Sequence, residues 1–177
     1  MTARSYPPHI TAFVESLGEL DAARRAQLSR TLSGQPAYWL EGLIVQLGRQ
    51  PADRQARMRL VAGLYGHLNR GSQDRTASDG RSLGELLGEL RSSSAGSEST
   101  ERRFLNLLGA DDEALPTVLR QIATLLAGQR FDIDWLRLTH DLWFWNDRTS
   151  RAWAQDFYRV TTSRATGPAT PTRGETA

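Results

Sequence analysis

Arginine is the residue of this chain whose number and spacing point to chemistry. All 22 basic side chains are arginine, and there is no lysine. A guanidinium presents five donors in a planar fork and grips carboxylate or phosphate oxygens bidentately. A GC-rich coding sequence would produce the same bias without any function. Net charge is only +2, so contact with a polyanion must come from local patches. The segment Arg49–Arg75 is one such patch, with six arginines against Asp53 and Asp74. Within it Arg54 and Arg57 extend an apolar helix face, since Arg54 leads to Met58 and Val61, and Arg57 to Val61 and Leu64. An arginine at the end of a core stripe must snorkel, pair with a carboxylate or face a partner. Arg59 points to the other side. Arg24, Arg25 and Arg30 crowd one short helix. Arg30 and Arg120 have no acidic residue three or four positions away. Bare guanidinium on a helix face suits a phosphate backbone, and solvated helix surface accounts for it equally well.

Other chemistries find little footing. Without cysteine there is no thiolate nucleophile and no sulfur-ligated metal. His9, His67 and His140 are isolated, and none has a second ligand at helical spacing. Asp111, Asp112 and Glu113 precede a helix, where negative charge favours the helix dipole. A phosphate-cradling glycine loop, a G-x-S-x-G elbow and an H-x-E…C-x-x-C pattern are all missing. Neither an enzyme, a cofactor nor a metal is expected. No apolar run approaches a membrane span, and Met1–Tyr6 is not followed by an apolar signal core, so a soluble, cytoplasmic protein is expected.

The elements that must position these arginines are helical. Apolar residues recur at the helical period, and strand alternation is almost missing. The pattern predicts helices over Ile10–Leu20 and over Ala22–Leu32 with Asp21 as N-cap. Others start at Pro36 and Pro51, and one near Ser82, where Ser82-Leu-Gly-Glu85 is a capping box. Gly84 and Gly88, four residues apart, permit close helix approach. The composition of Ser92–Ser99 marks a linker and the boundary between two lobes. Beyond it, Thr100–Leu108 turns Phe104, Leu105 and Leu108 inward. Pro116 starts a helix with the cleanest apolar stripe, from Leu115 to Leu126. Asp132 or Asp134 caps the next, and Asp147 the last. The expected fold is all-α with two small helical lobes packed together: residues 1–95, residues 96–160, and a disordered tail over 161–177. Eight of the fourteen aromatics fall in Phe131–Tyr158. They read as core built on Trp135, Leu142, Trp145, Trp153 and Phe157, with Phe144 off the stripe as the best exposed contact.

The stretch Glu101-Arg-Arg-Phe-Leu-Asn-Leu-Leu108, then Leu119-Arg120, Asp134-Trp135, Asp141-Leu142, Trp145 and Asp156-Phe157, resembles the CasB family, the small subunits of the type I-E CRISPR surveillance complex Cascade. Upstream, Ala26–Arg30, Pro36-Ala37-Tyr38 and Ser82-Leu83-Gly84 are similar to further pieces of that family. The likeness runs from about Phe13 to Tyr158. It implies a two-lobed helical, non-catalytic subunit that sits as a pair of copies inside Cascade. It also implies contact with the backbone and large subunits, the guide RNA and the target DNA, stabilising the target and the displaced strand. Arg30, Arg102, Arg103, Arg120 and Arg148 match positions where the family often places basic residues. After Ser-Leu-Gly the family commonly has a basic residue. Here it is Glu85, which leaves Ser82 as a structural cap and lets the Arg49–Arg59 cluster, with Arg54, Arg57 and Arg59, stand in nearby. Arg102 and Arg103 are adjacent, about 100° apart on a helix, so one is expected to pair with a carboxylate and orient the lobes while the other faces a partner. Two other classes remain open at this point: a protein-only helical adaptor, and a helical regulator reading duplex DNA.

Overall fold

In the computed structural model, residues 5–69, 80–93, 97–129 and 131–165 are described, and among them all regular structure is helical. The order is α1 (Pro8–Gly18), α2 (Ala22–Thr31), α3 (Tyr38–Gln46), α4 (Ala52–Leu68), α5 (Leu83–Ser92), α6 (Ser97–Leu108), α7 (Leu115–Ala127), α8 (Trp135–Trp143) and α9 (Asp147–Ala165). The helix starts follow local chemistry. The Asp21 carboxylate accepts the Arg24 amide at 2.7 Å, and that of Asp134 accepts the Arg137 amide at 2.9 Å. Both halves of the Ser82–Glu85 capping box form. The last helix starts differently from expectation. Asp147 lies inside α9, and the Asn146 side chain accepts the Arg148 and Thr149 amides.

Two helices organise the packing. Helix α4 is buried along Met58, Leu60, Val61, Leu64 and Tyr65. It lies against α2 on one side and against α7 and α8 on the others, while α1 covers α8. Helix α5 lies along α9 and also packs on α6. The tryptophan that opens α8 bridges toward α4, with Trp135 edge-on to Tyr65 at 5.0 Å. In the second group Phe104 stacks on Phe157 at 4.3 Å. The expected boundary near residue 95 is therefore only a boundary in sequence. Helix α5, assigned to the first lobe, shares its core with α6 and α9. Helices α7 and α8, assigned to the second, pack on α4.

Three further expectations change. Leu105 is exposed and Leu107 is buried in its place, because the buried face of α6 runs through Thr100, Phe104 and Leu107. Trp145 is half-buried at the edge of the core. Helix α9 continues through Ala165, five residues into the stretch expected to be disordered, and the rest of that tail lies outside the described residues, as does most of the expected loop over Asn69–Asp79.

Glycine sets the closest helix contacts. A Cβ on Gly84 would run into the Trp153 carbonyl, and one on Gly88 would lie 2.8 Å from the Phe157 carbonyl. Gly66, not singled out by the sequence pattern, does the same for α4 against α2, where its Cβ would lie 2.6 Å from the Arg25 carbonyl, while Gly63 meets side-chain atoms of Thr31 and Leu32. Backbone cannot swing aside as a side-chain tip can. Gly84→Ala is therefore expected to destabilise by about 2 kcal/mol or more, an overpacking cost exceeding the ~1 kcal/mol gain in helix propensity. Gly42→Ala on α3, where nothing lies within 4 Å, should gain up to about 1 kcal/mol instead. Denaturant midpoints of the two variants check this, and equal shifts would contradict the close-approach account.

Candidate nucleic-acid interface

The arginines singled out from sequence divide into two groups. Arg54, Arg57 and Arg59 are engaged inside the molecule. Arg57 donates to the carbonyls of Leu142 and Trp143, at 3.4 and 3.0 Å, and to the Asp112 carboxylate at 2.7 Å; its side chain is only 12% exposed. Arg54 donates to the same Trp143 carbonyl and lies 5.3 Å from the ring centres of both Trp143 and Phe144. The C-terminal end of α8 carries partial negative charge on its last carbonyls, and these two guanidiniums answer it from α4. Of the three fates open to an arginine that ends a core stripe, pairing is the one observed. Arg59 forks onto Glu41, with Nε and Nη2 each 2.6 Å from a carboxylate oxygen. That bond holds the Glu41 carboxyl below its usual range and raises Arg59.

Arg30, Arg102, Arg120 and Arg148 are exposed, Arg103 is half-buried, and none of the five makes an ion pair among the described residues. The expected division of labour between Arg102 and Arg103 is thus not seen. The carboxylate link between α5 and α6 runs from Arg91 to Glu101 at 2.7 Å instead. That bond lowers the Glu101 carboxyl below its usual range, and Tyr158 adds a weaker hydrogen bond to the same group. Arg49, which opens the basic patch of the sequence, and Arg151, which sequence reasoning passed over, are exposed and likewise without an ion pair among the described residues. Each has an aspartate four positions away, Asp53 and Asp147, so spacing alone counts both as paired.

Two of the five sit around one feature. The segment Gln35–Ala37 between α2 and α3, together with Tyr38 at the start of α3, lines two grooves. One groove, of about 400 Å³, is lined by Arg30; the other, of about 470 Å³, by Arg59 and Arg120. Tyr38 lines both and is 80% exposed. It falls outside the apolar stripe of α3, which is the sequence signal for it. The larger groove is walled by Pro36, Ala37, Leu40, Ala56 and Leu60, so an apolar floor is flanked by cations. Arg148 lies apart, in a groove it shares with Phe144, His140 and Trp153. Phe144 is exposed as expected, yet its ring is already contacted by Arg54 and His140.

The motif residues that carry the family resemblance also converge, but inside the fold. Ser82 Oγ donates to Asp156 at 2.6 Å, and Trp153 Nε1 to Asp141 at 2.7 Å. Arg137, which the sequence pattern does not single out, sits among Asp156 at 3.0 Å, Glu85 at 3.4 Å and Asp141 at 3.9 Å. Arg159 contacts Asp156 and Glu85 from the solvent side. The start of α5 is thus occupied by the chain's own Glu85 and Asp156 carboxylates and their arginines, and Ser82 is a buried structural cap.

Among the described residues no helix is long and apolar enough to cross a membrane, and no group of three candidate metal ligands occurs. Residues 20–158 match the family of CRISPR-associated protein Cse2. A CRISPR-associated protein Cse2 of Thermus thermophilus is 35% identical over 145 residues, covering 77% of this chain and 79% of that protein. Among solved structures, the crystal structure of M. ruber CasB superposes with a TM-score of 0.73 at 28% identity, over 89% of this chain and 97% of that one. A CRISPR-associated protein of the Cse2 family from Thermus thermophilus gives 0.69 at 28% identity, over 88% and 99%.

Proposed function

The chain belongs to the CRISPR-associated Cse2 family, and from that premise we propose that it is a non-catalytic small subunit of an RNA-guided Cascade complex that holds nucleic-acid backbone without reading sequence. The observation that carries this reading is the set of five arginines, Arg30, Arg102, Arg103, Arg120 and Arg148, left without ion pairs among the described residues while their neighbours Arg54, Arg57 and Arg59 are satisfied internally. Its partners are the backbone and large subunits, guide RNA, target DNA and a second copy of itself, in the cytoplasm. R-loop formation exchanges one duplex for another of similar stability, so a few added phosphate contacts tip the balance. Phosphate contacts carry no base information, which suits a complex whose specificity resides in the guide.

The test is the lifetime of target DNA on guide-loaded complex assembled with wild-type chain, without it, and with a chain in which the five arginines are alanine. Size-exclusion chromatography first establishes that each assembly has the same subunits apart from the omitted one. Target is expected to dissociate faster both without the chain and with the five-alanine variant. A fully assembled variant complex that holds target as long as wild type would replace this reading with a protein-only adaptor.

A further inference from the structure

We infer that the groove beside Tyr38 is a subsite for a single unpaired base of the displaced DNA strand, with the base stacked on Tyr38 and the flanking phosphates held by Arg30 and Arg120. The inference rests on the function proposed above and specifies what one surface of it binds. Tyr38 is the most exposed large apolar side chain of the described residues, and it stands where the two grooves meet. A ring held in that position offers a face that any base can stack on. The floor behind it is apolar, and its charges are cancelled: Arg59 is consumed by both oxygens of Glu41. Such a floor suits a base and not a phosphate. The guanidiniums of Arg30 and Arg120, by contrast, make no ion pair among the described residues, and each lines one of the two grooves that share Tyr38. Each nucleotide within a single strand carries one base and is flanked by two phosphates, which matches one exposed ring with an unpaired cation in each adjoining groove. A duplex keeps its bases stacked inside and cannot use the ring. When the guide pairs with its target, the displaced strand is the one left with unpaired bases.

The probe is the full chain at low salt, titrated with labelled oligothymidylate, with an abasic strand of equal length, with oligouridylate, and with duplex. Wild type should prefer oligothymidylate to the abasic strand by about tenfold, within the range of one stacked base. Tyr38→Ala should abolish that preference and leave abasic binding unchanged, while Tyr38→Trp keeps it. Arg30→Ala with Arg120→Ala should weaken both strands and keep their ratio. Since Tyr38 is exposed, its replacement leaves the fold intact, which circular dichroism checks. A wild-type ratio near one, with binding still reduced in the arginine variant, overturns the base subsite and spares the backbone-holding reading. Absence of arginine-dependent binding in the assembled complex overturns that reading itself. A stronger preference for oligouridylate would assign the groove to RNA, and loss of complex assembly on Tyr38→Ala would assign it to a protein neighbour; both overturn the inference.

Discussion

Trp153→Ala is expected to cost about 3–5 kcal/mol of folding stability, the range for emptying a large buried aromatic site. Trp153 is 1% exposed on the face of α9 that meets α5. Its ring lies edge-on to Trp145 at 5.0 Å, and its indole N–H donates to Asp141. Truncation removes the aromatic contact, opens a cavity and takes a donor from a half-buried carboxylate. The surroundings have little freedom to collapse, because the backbone at Trp153 already touches Gly84. Chemical denaturation measures the loss. A change below about 1 kcal/mol would mean that the indole faces solvent and is open to a stacking partner. Phe144→Ala, at a partly exposed ring, provides the contrast and should cost far less.

The second large effect concerns Arg137. Its side chain is 14% exposed and holds together Glu85 from α5, Asp141 from α8 and Asp156 from α9. It also donates to the Gly80 carbonyl at the approach to α5. Replacing it with methionine keeps much of the volume and leaves three carboxylates facing one another. Removing one partner of a buried ion pair commonly costs about 3–5 kcal/mol. Arg159 remains to screen Asp156 and Glu85, so about 3 kcal/mol is expected, the low end of that range. Asp156→Asn in the same chain should recover part of that loss, since the two residues share one network and their effects will not add. Strictly additive losses would show that Arg137 acts by packing alone.

These residues also mark where sequence reading runs out. Caps are local, and the side chains of Asp21, Ser82 and Asp134 act within three residues, so composition and spacing suffice to find them. Gly84 and Gly88 are legible for the same reason, as a spacing on one helix. Arg137 is not, because Glu85 lies 52 residues away and Asp156 lies 19 away. Nor does periodicity say which of three fates awaits Arg54 and Arg57, whose acceptor at the end of α8 is 89 and 86 residues distant. The serine-rich stretch before α6 reports chain connectivity, whereas the placement of α5 is decided by glycine contact with α9 across the core. The family motif is visible in sequence, and several of its residues, Ser82, Glu101, Phe104, Asp156 and Phe157, tie α5, α6 and α9 together. Four of the five interface arginines, Arg30, Arg102, Arg103 and Arg120, lie in the same motif pieces, and what the assembled fold adds is that they keep no ion pair among the described residues.

The central claim is that unpaired arginines meet phosphate and paired ones do not. Salt dependence measures this most directly. The affinity of the assembled, guide-loaded complex for matched target DNA is measured from low to physiological salt, for wild type, for the alanine variant of Arg30, Arg102, Arg103, Arg120 and Arg148, and for an Arg59→Gln, Glu41→Gln variant that removes an ion pair at no change in net charge. Every phosphate left unneutralised should flatten the log–log slope by about 0.7–0.9. The five-alanine variant is predicted to show a clearly shallower slope, and the variant lacking the ion pair the wild-type slope. An unchanged slope in the five-alanine variant would contradict the account, because those guanidiniums would then be solvated surface.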